Sequence, residues 1–229
     1  MRKQNQQIIV VAALLAVAVN TSCNSQNNQA KANSIAPAII NLKPSVITDT
    51  VGYDTDDPAI WINPQDPAQS LIVGTDKYSD GGLYVFNLDG KIINKVTGLK
   101  RPNNVDIAYG LDVNGKPTDV AITTEREKNA IRIFSLPDMK PIDNGGISVF
   151  EGEQERWPMG ISIYTRPTDH AMFAIVGRKS GPADGYLWQY RLSANAKSMV
   201  KGELVRKFGK YSGKKEIESI AVDNEAGYI

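Results

Sequence analysis

The chain has 229 residues, with 26 Lys and Arg against 25 Asp and Glu, a formal net charge of +1. That balance excludes a strongly basic nucleic-acid binder, though not a local basic patch, and the length suits one sizeable core or at most two small domains. One cysteine excludes an internal disulfide, and one histidine excludes a histidine-rich metal site.

Residues 1–23 read as a secretory signal: Arg2 and Lys3 precede an apolar run from Ile8 to Val19, too short to span a bilayer, and small residues lead to Cys23. Cys23 stands where bacterial lipoproteins carry their lipidated cysteine, although Asn20 replaces the usual aliphatic residue. The alternative is that Cys23 is discarded with the signal. Residues 24–36 are polar and unpatterned, and 24–44 read as a flexible tether. Either way the protein is expected to be exported, as a periplasmic, outer-membrane-anchored or extracellular protein. A lipid at Cys23 would be its only membrane attachment.

From residue 45 onward almost no helix is expected. Short β-rich runs alternate with Gly, Asp, Asn and Pro clusters, which signals an all-β fold. The runs repeat: "GLYVFNL" ends at Leu88, "AIRIFSL" at Leu136 and "YLWQYRL" at Leu192, spacings of 48 and 56 residues. Four runs fill each interval. The first unit reads "PAIWI", "LIVGTD", "LYVFNL", "KIINKV". The second reads "NVDIAY", "DVAITT", "IRIFSL", "ISVF". The third reads "GISIY", "AMFAIVG", "YLWQYRL", "ELVRKF", and a fourth opens with "IESIAVD". Periods of roughly 40–50 residues with four strands each mark a β-propeller of four-stranded antiparallel blades. A β-sandwich with a coincidental repeat is the alternative. Propellers close on themselves, so three blades and part of a fourth lead to the expectation of a longer parent protein, with residues 45–229 a partial propeller domain.

Each unit places a base after its second strand: Lys77, then Arg126, then the pair Arg178–Lys179. Equivalent positions in successive blades share one end of a propeller, so these bases are expected to form an arc at one mouth of the channel. Arginine offers a planar fork and lysine a compact charge, both suited to phosphate. The acids have their own pattern. "YDTDDPAIW" sets Asp54, Asp56 and Asp57 before a buried-looking run, Asp106 lies in the first strand of unit two, and Glu216 and Glu218 open unit four. Clustered carboxylates repel unless something positive lies among them. Asp56 reads as a turn residue or a ligand, and Asp57, beside Pro58, as a ligand. Hard oxygens without thiolate or imidazole suit Ca²⁺.

With "DDPAIW", "NNVDI", the basic positions and "ESIAVD" together, the chain from about Asp49 to Ile229 resembles the β-propeller phytases, secreted bacterial calcium-dependent 3-phytases with six blades. The resemblance implies hydrolysis of phytate (myo-inositol hexakisphosphate) or its lower phosphates, several bound Ca²⁺ ions, and a monomer when the propeller is complete. It implies a structural calcium held by Asp57 and the carbonyls of Pro58 and Val105, with Asp56 beside it. Glu218 would bridge calcium ions in the active site, and Asp49 would be a further ligand. Lys77, Arg126, Arg178 and Lys179 would grip substrate phosphates, and Glu218, Lys77 and Arg126 would carry the chemistry, with a metal-bridging water as nucleophile. Two departures stand out. Met159 lies where some relatives have a substrate-contacting tyrosine, and Ser180 or Gly181 replaces an acidic residue. The rival readings are a non-catalytic or incomplete propeller that binds polyanions or a partner protein, and a propeller lactonase. A lactonase has no need of four bases around one mouth.

Overall fold

The computed structural model describes residues 42–154 and 156–229. The expected signal, Cys23 and most of the expected tether lie outside them. The fold concerns the unit Pro44–Ile229.

Among the described residues, twelve strands form three four-stranded antiparallel sheets. The first holds β1 (Thr55–Trp61), β2 (Leu71–Asp76), β3 (Gly81–Phe86) and β4 (Ile92–Leu99). The second holds β5 (Pro102–Val113), β6 (Lys116–Glu125), β7 (Ala130–Ser135) and β8 (Ile147–Ser148). The third holds β9 (Pro158–Thr165), β10 (Met172–Arg178), β11 (Asp184–Ala194) and β12 (Val200–Lys210). Within each sheet spatial order follows chain order, the meander of a propeller blade. All twelve expected strands are present. The hairpin signals explain part of this: Asn114 and Gly115, both with positive φ (55° and 81°), make the two-residue turn that joins β5 to β6.

The blades pack face to face. Trp61, Val73, Leu83 and Val85 of the first meet Val105, Ala121 and Phe134 of the second. On the other face of the second blade, Ile122, Ile131 and Ile133 meet Ile161, Ala174, Val176 and Trp188 of the third. Val120 and Ile122 thus face one neighbour and Ala121 the other, as the two-residue period of a strand requires. A blade covered on both faces needs continuous apolar runs, and all seven residues of β10 are buried. Polar staples reinforce the seams. The Thr75 hydroxyl donates to the Asn103 carbonyl (2.9 Å), the Thr124 hydroxyl to the Met159 carbonyl (2.8 Å), and the Trp61 indole N–H to Asp119 (2.9 Å).

The opener of the fourth unit differs from expectation. Residues 217–222 form no strand, and only an isolated bridge, Asp223 to Tyr228, follows. A strand needs a ladder partner, and no described segment pairs with these residues. Their apolar side chains are nonetheless placed as a blade's would be. Ile217, Ile220 and Val222 pack on Ile175, Tyr186 and Leu187 of the third blade.

Candidate functional site

In a meander, alternate loops emerge at the same end. One end of the blades therefore gathers the β2–β3, β6–β7 and β10–β11 loops with the segments leading into β1, β5 and β9. The strand register makes the equivalence definite. β2 ends at Asp76, β6 at Glu125 and β10 at Arg178, so the bases that follow are Lys77, Arg126 and Lys179. Each also makes the same main-chain bond. Lys77 N–H donates to Asp54 (2.7 Å), Arg126 N–H to Arg101 (3.1 Å) and Lys179 N–H to Trp157 (2.9 Å), in each case the carbonyl just before the blade's own inner strand. Lys77 and Arg126 hold the places expected of them.

Arg178 does not. It occupies the place of Asp76 and Glu125, fully buried, with its guanidinium 4.6 Å from the Phe150 ring centre and 3.2 Å from Glu153. In the first two blades the acid there accepts from the incoming backbone: Asp76 from Asp54 N–H (2.7 Å), Glu125 from Lys100 N–H (2.8 Å). The third blade reverses the charges. Arg178 meets the Glu153 carboxylate of the incoming segment, and a Cβ on Gly181 would lie 2.5 Å from the Arg178 Nε. The third base at the mouth is Lys179 alone. Counting back to Leu192 could not separate the two because the β10–β11 loop is longer than its counterparts.

The acids divide in the same way. Asp56 is paired with Lys77 at 2.5 Å, so the positive group beside it is a lysine of the same blade. Asp57 accepts from Val105 N–H across the first seam (2.9 Å), and Asp106 from Ile163 N–H (2.8 Å) and the Ser162 hydroxyl (3.2 Å) across the second. Burial holds both carboxyls above the usual range, against the pull of these bonds, and in Asp57 the charges of Asp56 and Asp106 add to it. Asp57, Asn104, Asp106, Ser162 and Glu218 line a cleft of about 310 Å³ between the inner strands, with Pro58 and Val105 on its wall. Glu218 reaches it because Gly160 lets the chain pass. A Cβ there would sit 2.4 Å from the Glu218 carbonyl oxygen. Asp49 is not brought to this end. Its carboxylate accepts from Lys91 (3.0 Å) and Ile92 N–H (3.1 Å) at the far hairpin, which holds its pKa low.

Around Arg126 the mouth is mixed in charge. Burial and the Arg101 charge lower its pKa, while Glu216, Glu218 and Glu127 act the other way. Lys179 is ion-paired with Glu216, which lowers the Glu216 pKa. Met159 is buried, with its carbonyl on Thr124, whereas Trp157, two residues earlier, is 57% exposed. Arg101 and Trp157 are not among the residues that the sequence pattern marks. Arg101-Pro102 and Trp157-Pro158 share a spelling, a proline at the first position of an inner strand, that could have found both.

The cleft fits a hard cation. Its donors are oxygens, and the raised Asp57 and Asp106 carboxyls would ionise fully beside a positive charge. Among the described residues no three carboxylate, imidazole or thiolate residues converge, so such an ion would rely on carbonyl oxygens as well.

Residues 5–229 match the family described as Phytase. Over 180 residues the chain is 31% identical to the 3-phytase of Bacillus subtilis (strain 168), covering 76% of this chain and 44% of that protein. The chain therefore spans less than half the length of this curated relative. Among solved structures, the computationally designed Ika4 protein aligns with a TM-score of 0.47 and 11% identity, over 76% of this chain and 83% of that one.

Proposed function

The chain belongs to the phytase family, and on that footing we propose that it serves calcium-dependent hydrolysis of phosphate monoesters on phytate or lower inositol phosphates. The observation that carries this reading is the pairing of three in-register positions, Lys77, Arg126 and Lys179, with the carboxylates Asp57 and Asp106 of the inner strands and Glu218 of the segment beside β9 at the same end of the blades.

Asp57 and the carbonyls of Pro58 and Val105 would hold one Ca²⁺, and Glu218 would hold others nearer the substrate. Calcium, when bound, supplies charge that offsets the phosphates and acidifies a water for attack on phosphorus. The protein's own groups do the rest. Arg126 presents a planar fork to the transferred phosphate and stabilises the charge that develops on it. Lys77 and Lys179 exchange their carboxylate partners Asp56 and Glu216 for neighbouring phosphates. Arg178, buried against Phe150 and Glu153, keeps the third loop in shape without meeting substrate. Asp49 has no part. The reading places the protein outside the cytoplasm, in keeping with the signal-like residues 1–23.

Replacing Arg126 and Lys179 together by alanine is expected to cut phosphate release from phytate by about a thousandfold or more, since one lost charge-stabilising donor alone costs about 10²–10³. Unchanged turnover in that double variant would overturn the proposal. Retained phytate binding without release in the unmodified protein would instead make it a polyanion-binding propeller.

A further inference from the structure

The bases at the mouth are not held alike. Lys77 is paired with Asp56 and Lys179 with Glu216, each within ion-pair distance. For the Arg126 side chain no hydrogen bond or ion pair is formed among the described residues. It rests instead on an aromatic ring, its guanidinium carbon 5.3 Å from the centre of the Trp157 indole. The two partners occupy equivalent places. Trp157 immediately precedes the inner strand β9, and Glu216 immediately precedes residues 217–222, which lie along β9 as an inner strand would. So the residue leading into one unit reaches back to the base of the unit before it, with an indole in one case and a carboxylate in the other. Trp157 is also fixed from behind, since its carbonyl accepts from Lys179 N–H (2.9 Å).

From this we propose that Trp157 is a positioning residue, which holds Arg126 in place while leaving its hydrogen-bond donors to an incoming phosphate group. The inference rests on the hydrolase reading above and deepens it. A carboxylate partner fixes a base but must be displaced by each anion that binds. An indole face attracts the guanidinium through its quadrupole and occupies none of the in-plane N–H groups. Arg126 is thus the base ready to receive the first phosphate, and Lys77 and Lys179 follow by exchanging partners.

The test uses the protein purified with its native sequence and five variants: Trp157→Ala, Trp157→Phe, Trp157→Glu, Arg126→Ala and the double variant Arg126→Ala with Trp157→Ala. Trp61 and Trp188 are buried (3% and 2% exposed), so iodide quenching of tryptophan emission reports on Trp157. Under chelation, where no turnover is expected, phytate should shield Trp157 from iodide in the unmodified protein and not in Arg126→Ala. With calcium, Trp157→Ala is expected to raise KM about five- to tenfold, the loss of one partly buried cation–π contact. Trp157→Phe should restore most of it, and Trp157→Glu, which copies the Glu216 arrangement, should bind worse than the alanine variant. In the Arg126→Ala background, Trp157→Ala should add nothing, because the two act as one unit. Multiplying effects of Trp157→Ala and Arg126→Ala, or Trp157→Glu binding as well as the unmodified protein, would overturn the inference. Shielding by phytate without any phosphate release would sink the hydrolase reading and leave the role of Trp157 standing.

Discussion

Asp106 shows how a single side chain joins two blades. Its carboxylate accepts from Ile163 N–H and Ser162 of the third blade and from its own neighbour Ile107 N–H. Asp106→Ala leaves those donors unpaired in a half-buried seam and is expected to destabilise the fold by about 1–3 kcal/mol in denaturant unfolding. Asp106→Asn keeps an acceptor and is expected to cost little. The pH dependence follows from the direction of the shift. Burial raises the folded-state pKa above the ordinary 3.8 of an aspartate, so the folded protein holds this proton more tightly than the unfolded chain. Stability is therefore full below 3.8, falls as pH rises through the folded pKa, and does not recover above it. Asp106→Asn should remove that component in metal-free buffer. An unchanged profile would mean that the carboxyl is not desolvated as described. At this scale the sequence was partly legible. Lys77 and Arg126 could be placed by counting from a repeated leucine, because their loops are short and alike. Arg178 could not, because its role depends on Glu153, twenty-five positions away, and on the rings of Phe150 and Trp188.

At the scale of elements, the strands were readable because each blade is covered on both faces, which forces long apolar or alternating runs bounded by turn residues. The fourth opener carries a strand's pattern and so reads as one, but it forms no strand, because pairing depends on a partner and no described segment pairs with it. What it does instead is bring Glu218 to the cleft, and this depends on close approach. Gly160 in β9 and Gly177 in β10 leave room for the Glu218 and Ile217 carbonyls, at 2.4 and 3.0 Å from where a Cβ would sit. Gly160→Ala must displace backbone, not a flexible side chain. Its expected effect is a loss of phosphate release of tenfold or more, by order of magnitude about 10² for a misplaced catalytic group, with the first two blades still folded by circular dichroism and proteolysis. Full activity in this variant would mean that residues 216–218 do not supply the site.

Across the whole molecule, three blades turn about inner strands β1, β5 and β9, and the acids and bases separate by depth. Carboxylates Asp57 and Asp106 sit along the seams between inner strands, half-buried and costly to ionise, while Lys77, Arg126 and Lys179 ring the end above them. A bound cation would repay the first arrangement and a polyphosphate the second, and each makes the other's binding more favourable. Phosphate release from phytate by the protein purified from its own cells, first with calcium and then with a chelator, tests this coupling most directly. Release with calcium is expected, with loss of release under the chelator and recovery when calcium is returned. Release that persists under chelation, or its absence in both conditions, would contradict it.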